Sequence, residues 1–166
     1  MKREETIDYN VKSLWHGISR MYNQFGSPYD ITASTGFVLL NIDVEEGTPA
    51  TKIAPMLGME SRSLTRMLKA MEEKGWVYRE RDLVDGRSVR IFLTDVGIEK
   101  RELSRRAVRE FNKKVKFLID EQRLNDFFIV LSEINKIVND TSLFENIVKE
   151  ISIEFARNAQ LENVKY

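Results

Sequence analysis

The sequence predicts a mainly α fold with a small β-wing, a winged helix-turn-helix carrying helical extensions at both ends. Three observations predict it. Residues 74–97 pass from a Lys74-Gly75-Trp76-Val77 helix exit through a short strand (77–81), a turn at Asp85-Gly86-Arg87 and a second strand (88–93) to Thr94-Asp95-Val96-Gly97. A helix followed directly by a basic two-stranded ribbon is the outline of a DNA-binding wing. Apolar residues recur at three- and four-residue spacing on both sides of this stretch, the period of amphipathic helices. Charge is uneven: net charge is zero, yet residues 50–114 hold 16 Lys+Arg against 10 Asp+Glu and the remainder 10 against 16. A net +6 centre between ends that sum to −6 suits phosphate contacts in the middle of the chain. A solvated mixed surface would also produce such a split, so position has to decide.

The first helix carries Val11, Leu14, Trp15, Ile18, Met21, Tyr22 and Phe25 on one wide face and stops at Gly26-Ser27-Pro28. Thr32 or Ser34 can cap a second, with Phe37, Val38, Leu40 and Ile42, ending before Glu45-Glu46-Gly47. Thr48-Pro49 reads as the start of a third, a capping hydroxyl before a proline suited to the first helical position. That helix holds Ile53, Met56 and Leu57, ends at Gly58, and is shortened or distorted by Pro55, which lacks a backbone donor.

The next helix, from Glu60 or Ser61 to Lys74, is the candidate recognition element. Leu64, Met67, Leu68 and Met71 form its buried stripe, leaving Arg62, Thr65, Arg66 and Lys69 together on the outside. Its first turn offers Ser61, Arg62, Ser63 and Thr65: short hydroxyls that permit close approach, and an arginine able to bond two guanine acceptors. An ordinary surface helix would be richer in Glu and Lys. In the ribbon, Val77, Val89, Ile91 and Leu93 are expected to alternate with Arg79, Arg81 and Arg90, one side apolar and the other basic. Asp85 beside Arg87 reads as a brace for an arginine that fits a narrow minor groove, or else as an exposed ion pair.

From Thr94 a long helix runs past Lys114 with Ala107, Val108, Phe111, Val115 and Leu118, and Asp120-Glu121 opens another with Leu124, Phe127, Phe128, Leu131, Ile134 and Val138. After Asp140-Thr141-Ser142, Leu143, Phe144, Ile147, Val148, Ile151 and Phe155 mark a last stripe, and residues 158–166 are expected to fray. This is more apolar helix surface than the small basic lobe covers, which points to a second subunit; a monomeric bundle with the first helix is the competing arrangement.

Composition excludes several classes. With no cysteine, disulfides, thiolate metal sites and cysteine redox sensing are absent. The only histidine, His16, lies beside Trp15 without a carboxylate cluster, and no phosphate loop, zinc spacing or nucleophile constellation appears. No enzyme activity, metal or cofactor is expected. The N-terminus has no apolar signal core and no apolar run approaches the roughly 20 residues that span a bilayer, so a soluble cytoplasmic protein without membrane partners is expected. Trp15, Met21 and Phe37 are candidates for an inducer cavity, although such stripes more often form core.

Residues 32–97 resemble the MarR (multiple antibiotic resistance regulator) family of bacterial transcription factors. The resemblance rests on Ile53-Ala54, Leu57-Gly58-Met59, Leu64-Thr65-Arg66, Lys74-Gly75-Trp76-Val77, Arg79, Asp85-Gly86-Arg87-Ser88 and Leu93-Thr94-Asp95-Val96-Gly97 in this order. It implies one MarR-type domain over 1–166, with a DNA-binding lobe at 32–97 and N- and C-terminal dimerisation helices at 1–28 and 98–160. It further implies an obligate homodimer, a small-molecule effector pocket between the dimer region and each lobe, and a sequence-specific regulator, a repressor on an inverted-repeat operator of double-stranded DNA. Pro55 departs from the polar or small residue usual at its position. The alternative is a winged-helix module for protein or RNA contacts, disfavoured because such a surface would expose an apolar patch in place of arginine.

Overall fold

The computed structural model describes residues 2–82 and 88–163, so the wing-tip residues Asp85 and Arg87 lie outside the described residues. The chain forms two compact units, 1–113 and 114–166.

In the first unit α1 spans Ile7–Gly26, and a 3-10 turn, Ser27–Tyr29, carries the chain to α2, Ala33–Leu40. Thr32 caps α2: its hydroxyl accepts from Thr35 N at 3.1 Å, supplying one of the partners a helix start otherwise lacks. Asn23 Oδ1 accepts from Ala33 N at 2.8 Å, tying α1 to the same helix start. Ile42, expected within α2, lies beyond it and is fully buried.

Thr48–Pro49 is a short strand, β1, and not the start of a helix; α3 begins at Ala50 and ends at Met56. The correction has a clear cause. Thr48 Oγ1 accepts from Asp43 N (2.9 Å) and donates to Asn41 O (3.2 Å), so the hydroxyl closes the preceding turn, while Thr48 and Pro49 pair with Ile91 and Arg90. With Pro55 inside it, α3 lasts seven residues; Ile53 and Ala54 are buried, whereas Met56 is exposed.

Helix α4 spans Ser61–Glu73 and leaves through Gly75, whose φ of +67° permits Trp76 N to reach back to Met71 O at 2.9 Å. Strands β2 (Val77–Arg81) and β3 (Val89–Leu93) pair antiparallel, and the sheet order is β1-β3-β2. Thr94 then joins this exit to α5, Asp95–Leu118: its hydroxyl donates to Gly75 O (2.6 Å) and accepts from Gly97 N (3.0 Å), capping the helix. One core unites Val38, Leu39 and Ile42, Ile53 and Ala54, Leu64, Leu68 and Met71 of α4, Trp76 at the helix exit, and Val77, Ile91 and Leu93 of the sheet. Each large apolar side chain so buried contributes about 1.5–3 kcal/mol, which makes α4 and the ribbon one rigid platform.

In the second unit, Asp120 caps α6 (Glu121–Asn139) by accepting from Gln122 N and Arg123 N at 2.9 and 3.3 Å. Helix α7 runs Thr141–Asn163, so helix persists past residue 158 where fraying was expected. Phe127, Phe128, Val138, Phe144, Val148, Ile151 and Phe155 are exposed on these helices, as are Val11, Leu14 and Trp15 on α1. Among the described residues, no helix is long and apolar enough to cross a membrane.

Candidate nucleic-acid interface

The platform settles which face of α4 is available. Leu64, Leu68 and Met71 are buried and Met67 is half-buried against the core, so the helix is held by the stripe its 3.6-residue period defines. The opposite side carries Ser61, Arg62, Thr65, Arg66 and Lys69, all exposed, with Ser63 half-buried. Ser61, Arg62, Thr65 and Arg66 line one open surface depression. Thr65 donates its hydroxyl to Ser61 O at 2.8 Å, leaving the oxygen as an acceptor. Lys69 Nζ stands 3.9 Å from Glu73 Oε1, a loose exposed pair. Among the described residues Arg62 and Arg66 make no ion pair or side-chain hydrogen bond. Two arginines held out by a rigid helix, with no acceptor among the described residues, are suited to an anionic partner.

The ribbon differs from the alternation its sequence suggests. Val77 pairs with Leu93, Arg79 with Ile91 and Arg81 with Val89, so Arg79 and Arg81 share a face with Val77, while Arg90 lies on the other with Glu80, Tyr78 and Phe92. Successive side chains alternate, so residues two apart must share a face. What changes along β2 is cover: Val77 is buried, but Arg79 and Arg81 are exposed as the strand leaves the core. Arg79 Nε meets Glu72 Oε2 at 3.1 Å and ties β2 to α4. On the far face Tyr78 and Phe92 stack, ring centroids 5.4 Å apart.

Arg90 is committed within the protein. Its Nε donates to Asp82 Oδ2 at 2.7 Å and its Nη1 to Glu46 O at 2.7 Å and Gly47 O at 3.3 Å. Asp82, at 7% exposure, was missed in the sequence reading. Its only local signal is an acid eight residues before an arginine across a turn, which gives no register.

A narrow apolar crevice lies between α1, α2 and α5, lined by Tyr22, Phe25, Ile31, Phe37, Ser104 and Val108 among others. Phe37 lines it; Trp15 does not, though its ring packs 5.6 Å from that of Phe37, and Met21 does not. The cavity volume is about 20 Å³, room for one water, where a small-molecule site needs hundreds. Burial raises the Tyr22 hydroxyl above the ordinary tyrosine range.

A helix-turn-helix whose second helix exposes arginines beside a β-ribbon is the winged type of DNA-binding domain. Residues 31–89 match the profile of the MarR family. Over 135 residues the chain is 32% identical to the HTH-type transcriptional regulator SarZ of Staphylococcus saprophyticus, covering 76% of this chain and 92% of that protein. Two solved structures share the fold. An S. aureus MepR–DNA complex matches with TM-score 0.73 at 22% identity, over 79% of this chain and 97% of that one. The transcriptional repressor CouR, bound to a 23-mer DNA duplex, matches with TM-score 0.68 at 25% identity, over 80% and 94%. The chain belongs to the MarR family, a family of DNA-binding transcriptional regulators.

Proposed function

We propose that this regulator binds double-stranded DNA as a homodimer, placing α4 of each subunit in one of two successive major grooves of an inverted repeat, and acts as a repressor. The observation that carries this is the outward face of α4, where Arg62 and Arg66 find no acceptor among the described residues while the opposite face is locked into the core. In this reading Arg62 reads a base edge, Ser61, Ser63, Thr65 and Arg66 contact bases or backbone, and Lys69 and the wing, with Arg87 braced by Asp85 at its tip, meet phosphates and the minor groove. The exposed apolar faces of α1, α6 and α7 support a second copy as the partner of residues 1–28 and 98–160, because a monomer would leave them in water.

A small-molecule effector releases the regulator from DNA in this proposal. Phe37 and its neighbours line an apolar crevice too small for such a ligand as it stands, so an effector must widen it. Random-site selection with the full-length protein tests the geometry. The expected product is a two-fold motif with half-site centres about 10 base pairs apart; a selected pool without two-fold symmetry overturns it, and enrichment of RNA alone would favour the interaction-module alternative.

A further inference from the structure

From the hydrogen bonds that join three separate segments at the root of the ribbon, we infer that Arg90 and Asp82 are a positioning pair for the wing: they set its pose for DNA without touching DNA. The inference rests on the proposed DNA-binding reading and assigns to Arg90 a role different from direct contact.

The location is informative. Strand β1 supports β3 only at Ile91 and Arg90; beyond Arg90 the ribbon continues as two strands. A two-stranded ribbon is marginally stable by itself, so whatever holds its last supported residue governs where the remainder points. Arg90 holds that residue from both sides. Its Nε bond to Asp82 crosses to the end of β2, where Asp82 N also donates to Ser88 O at 3.0 Å and closes the ribbon. Its Nη1 bonds to Glu46 O and Gly47 O reach the turn that precedes β1, 44 and 43 residues away in sequence.

The anchor itself is stiff. Asp43 Oδ1 accepts from Glu45 N and Glu46 N at 2.9 and 2.8 Å, fixing the turn. Gly47 has φ +63°, and a Cβ there would stand 2.7 Å from the Phe92 ring and 2.8 Å from Ile91 O, so the turn lies directly against β3. The guanidinium thus bridges a rigid turn and a buried carboxylate, and its side chain is only 27% exposed. A planar fork with fixed donor directions suits this task better than a lysine. A carboxylate at the base of a DNA-facing wing would repel phosphates unless neutralised, and Arg90 Nε meets Asp82 Oδ2 at 2.7 Å.

The two roles for Arg90 make opposite predictions for Asp82. If Arg90 contacts phosphate, Asp82→Asn releases its Nε and removes a negative charge, so affinity holds or rises. If the pair positions the wing, Asp82→Asn weakens binding although the surface has become more positive. The experiment uses the full-length protein and a duplex recovered by random-site selection with the wild type. Affinities of Asp82→Asn, Arg90→Gln and the double variant are read by fluorescence anisotropy, alongside amide hydrogen exchange of the DNA-free proteins. Expected are about threefold weaker binding for Asp82→Asn, about tenfold for Arg90→Gln, and no further loss in the double variant, as for two residues acting as one unit. Exchange should rise in peptides over 77–82 and 88–93 and stay unchanged in α4, which separates local loosening from general destabilisation. Arg90→Lys should fail to restore affinity. Unchanged or tighter binding by Asp82→Asn, or unaltered exchange in those peptides, overturns the inference. If the wild type selects no duplex, the DNA reading fails instead, and exchange alone still judges the clamp.

Discussion

Replacing Arg62 by alanine separates folding from recognition, because the side chain does nothing for the protein's own packing. It is exposed and makes no ion pair or side-chain hydrogen bond among the described residues, so its loss should change stability by no more than about 0.5 kcal/mol. A bidentate arginine–guanine contact discriminates by about 1–3 kcal/mol, or roughly five- to 150-fold at each half-site. Lys69→Ala provides the contrast. Its pair with Glu73, at 3.9 Å between side chains 74% and 66% exposed, contributes at most a few tenths of a kcal/mol. As a phosphate contact its removal should weaken all sequences alike and lower the slope of log K against log salt by about 0.9 per lysine, roughly twice that per dimer. The assay is anisotropy titration at several salt concentrations on the selected duplex and a scrambled one, with urea unfolding in parallel. Arg62→Ala should lose affinity on the selected duplex and little on the scrambled one. Equal losses on both duplexes would make Arg62 a backbone contact, and wild-type binding by Arg62→Ala and Arg66→Ala together would remove α4 from recognition.

Gly97→Ala should be severely destabilising, because the new Cβ would overlap Trp76 O and stand 3.0 Å from its carbonyl carbon; a loss above about 3 kcal/mol in urea unfolding is expected, and a mild variant would show that the α5 start can shift. Charged substitutions of Phe127 and Leu131 should shift sedimentation equilibrium toward monomer and lower DNA affinity together; wild type that is monomeric at micromolar concentration refutes the dimer. Asp43 should contribute acid-sensitive stability. Backbone hydrogen bonds from Glu46 and then Glu45, with Arg101 and Arg90 nearby, hold its carboxyl below the ordinary range, so its contribution is present above that range and disappears as pH falls through the lowered value. Asp43→Ala should therefore be less stable than wild type at neutral pH and approach it below about pH 4; a constant difference down to pH 2 contradicts this.

Much of the architecture was legible in the residues themselves. The face of α4, a cap at Thr32 or Ser34 of which the structure takes Thr32, the Gly75 exit and the Asp120 start depend on residues within a turn of one another, and helical period and capping chemistry are local properties. The arginines of α4 were legible for the same reason: a stripe that must be buried defines the side that cannot be. The ribbon was legible as two strands but its faces were misassigned, since Arg79 and Arg81 follow Val77 by pairs and so share its side. Thr48-Pro49 carries a helix-start signature that tertiary pairing overrode, the strand partner lying 43 residues away at Ile91. Composition and spacing therefore determined the long helices, where a wing follows one, and which helix surface carries arginine. The tertiary structure alone decided the third strand, the closing of the crevice beside Phe37, and the commitment of Arg90 to Asp82 and the 46–47 turn. These depend on registers and close approaches between segments tens of residues apart, and a sequence period constrains only the orientation of neighbours within one element, not which distant element they meet.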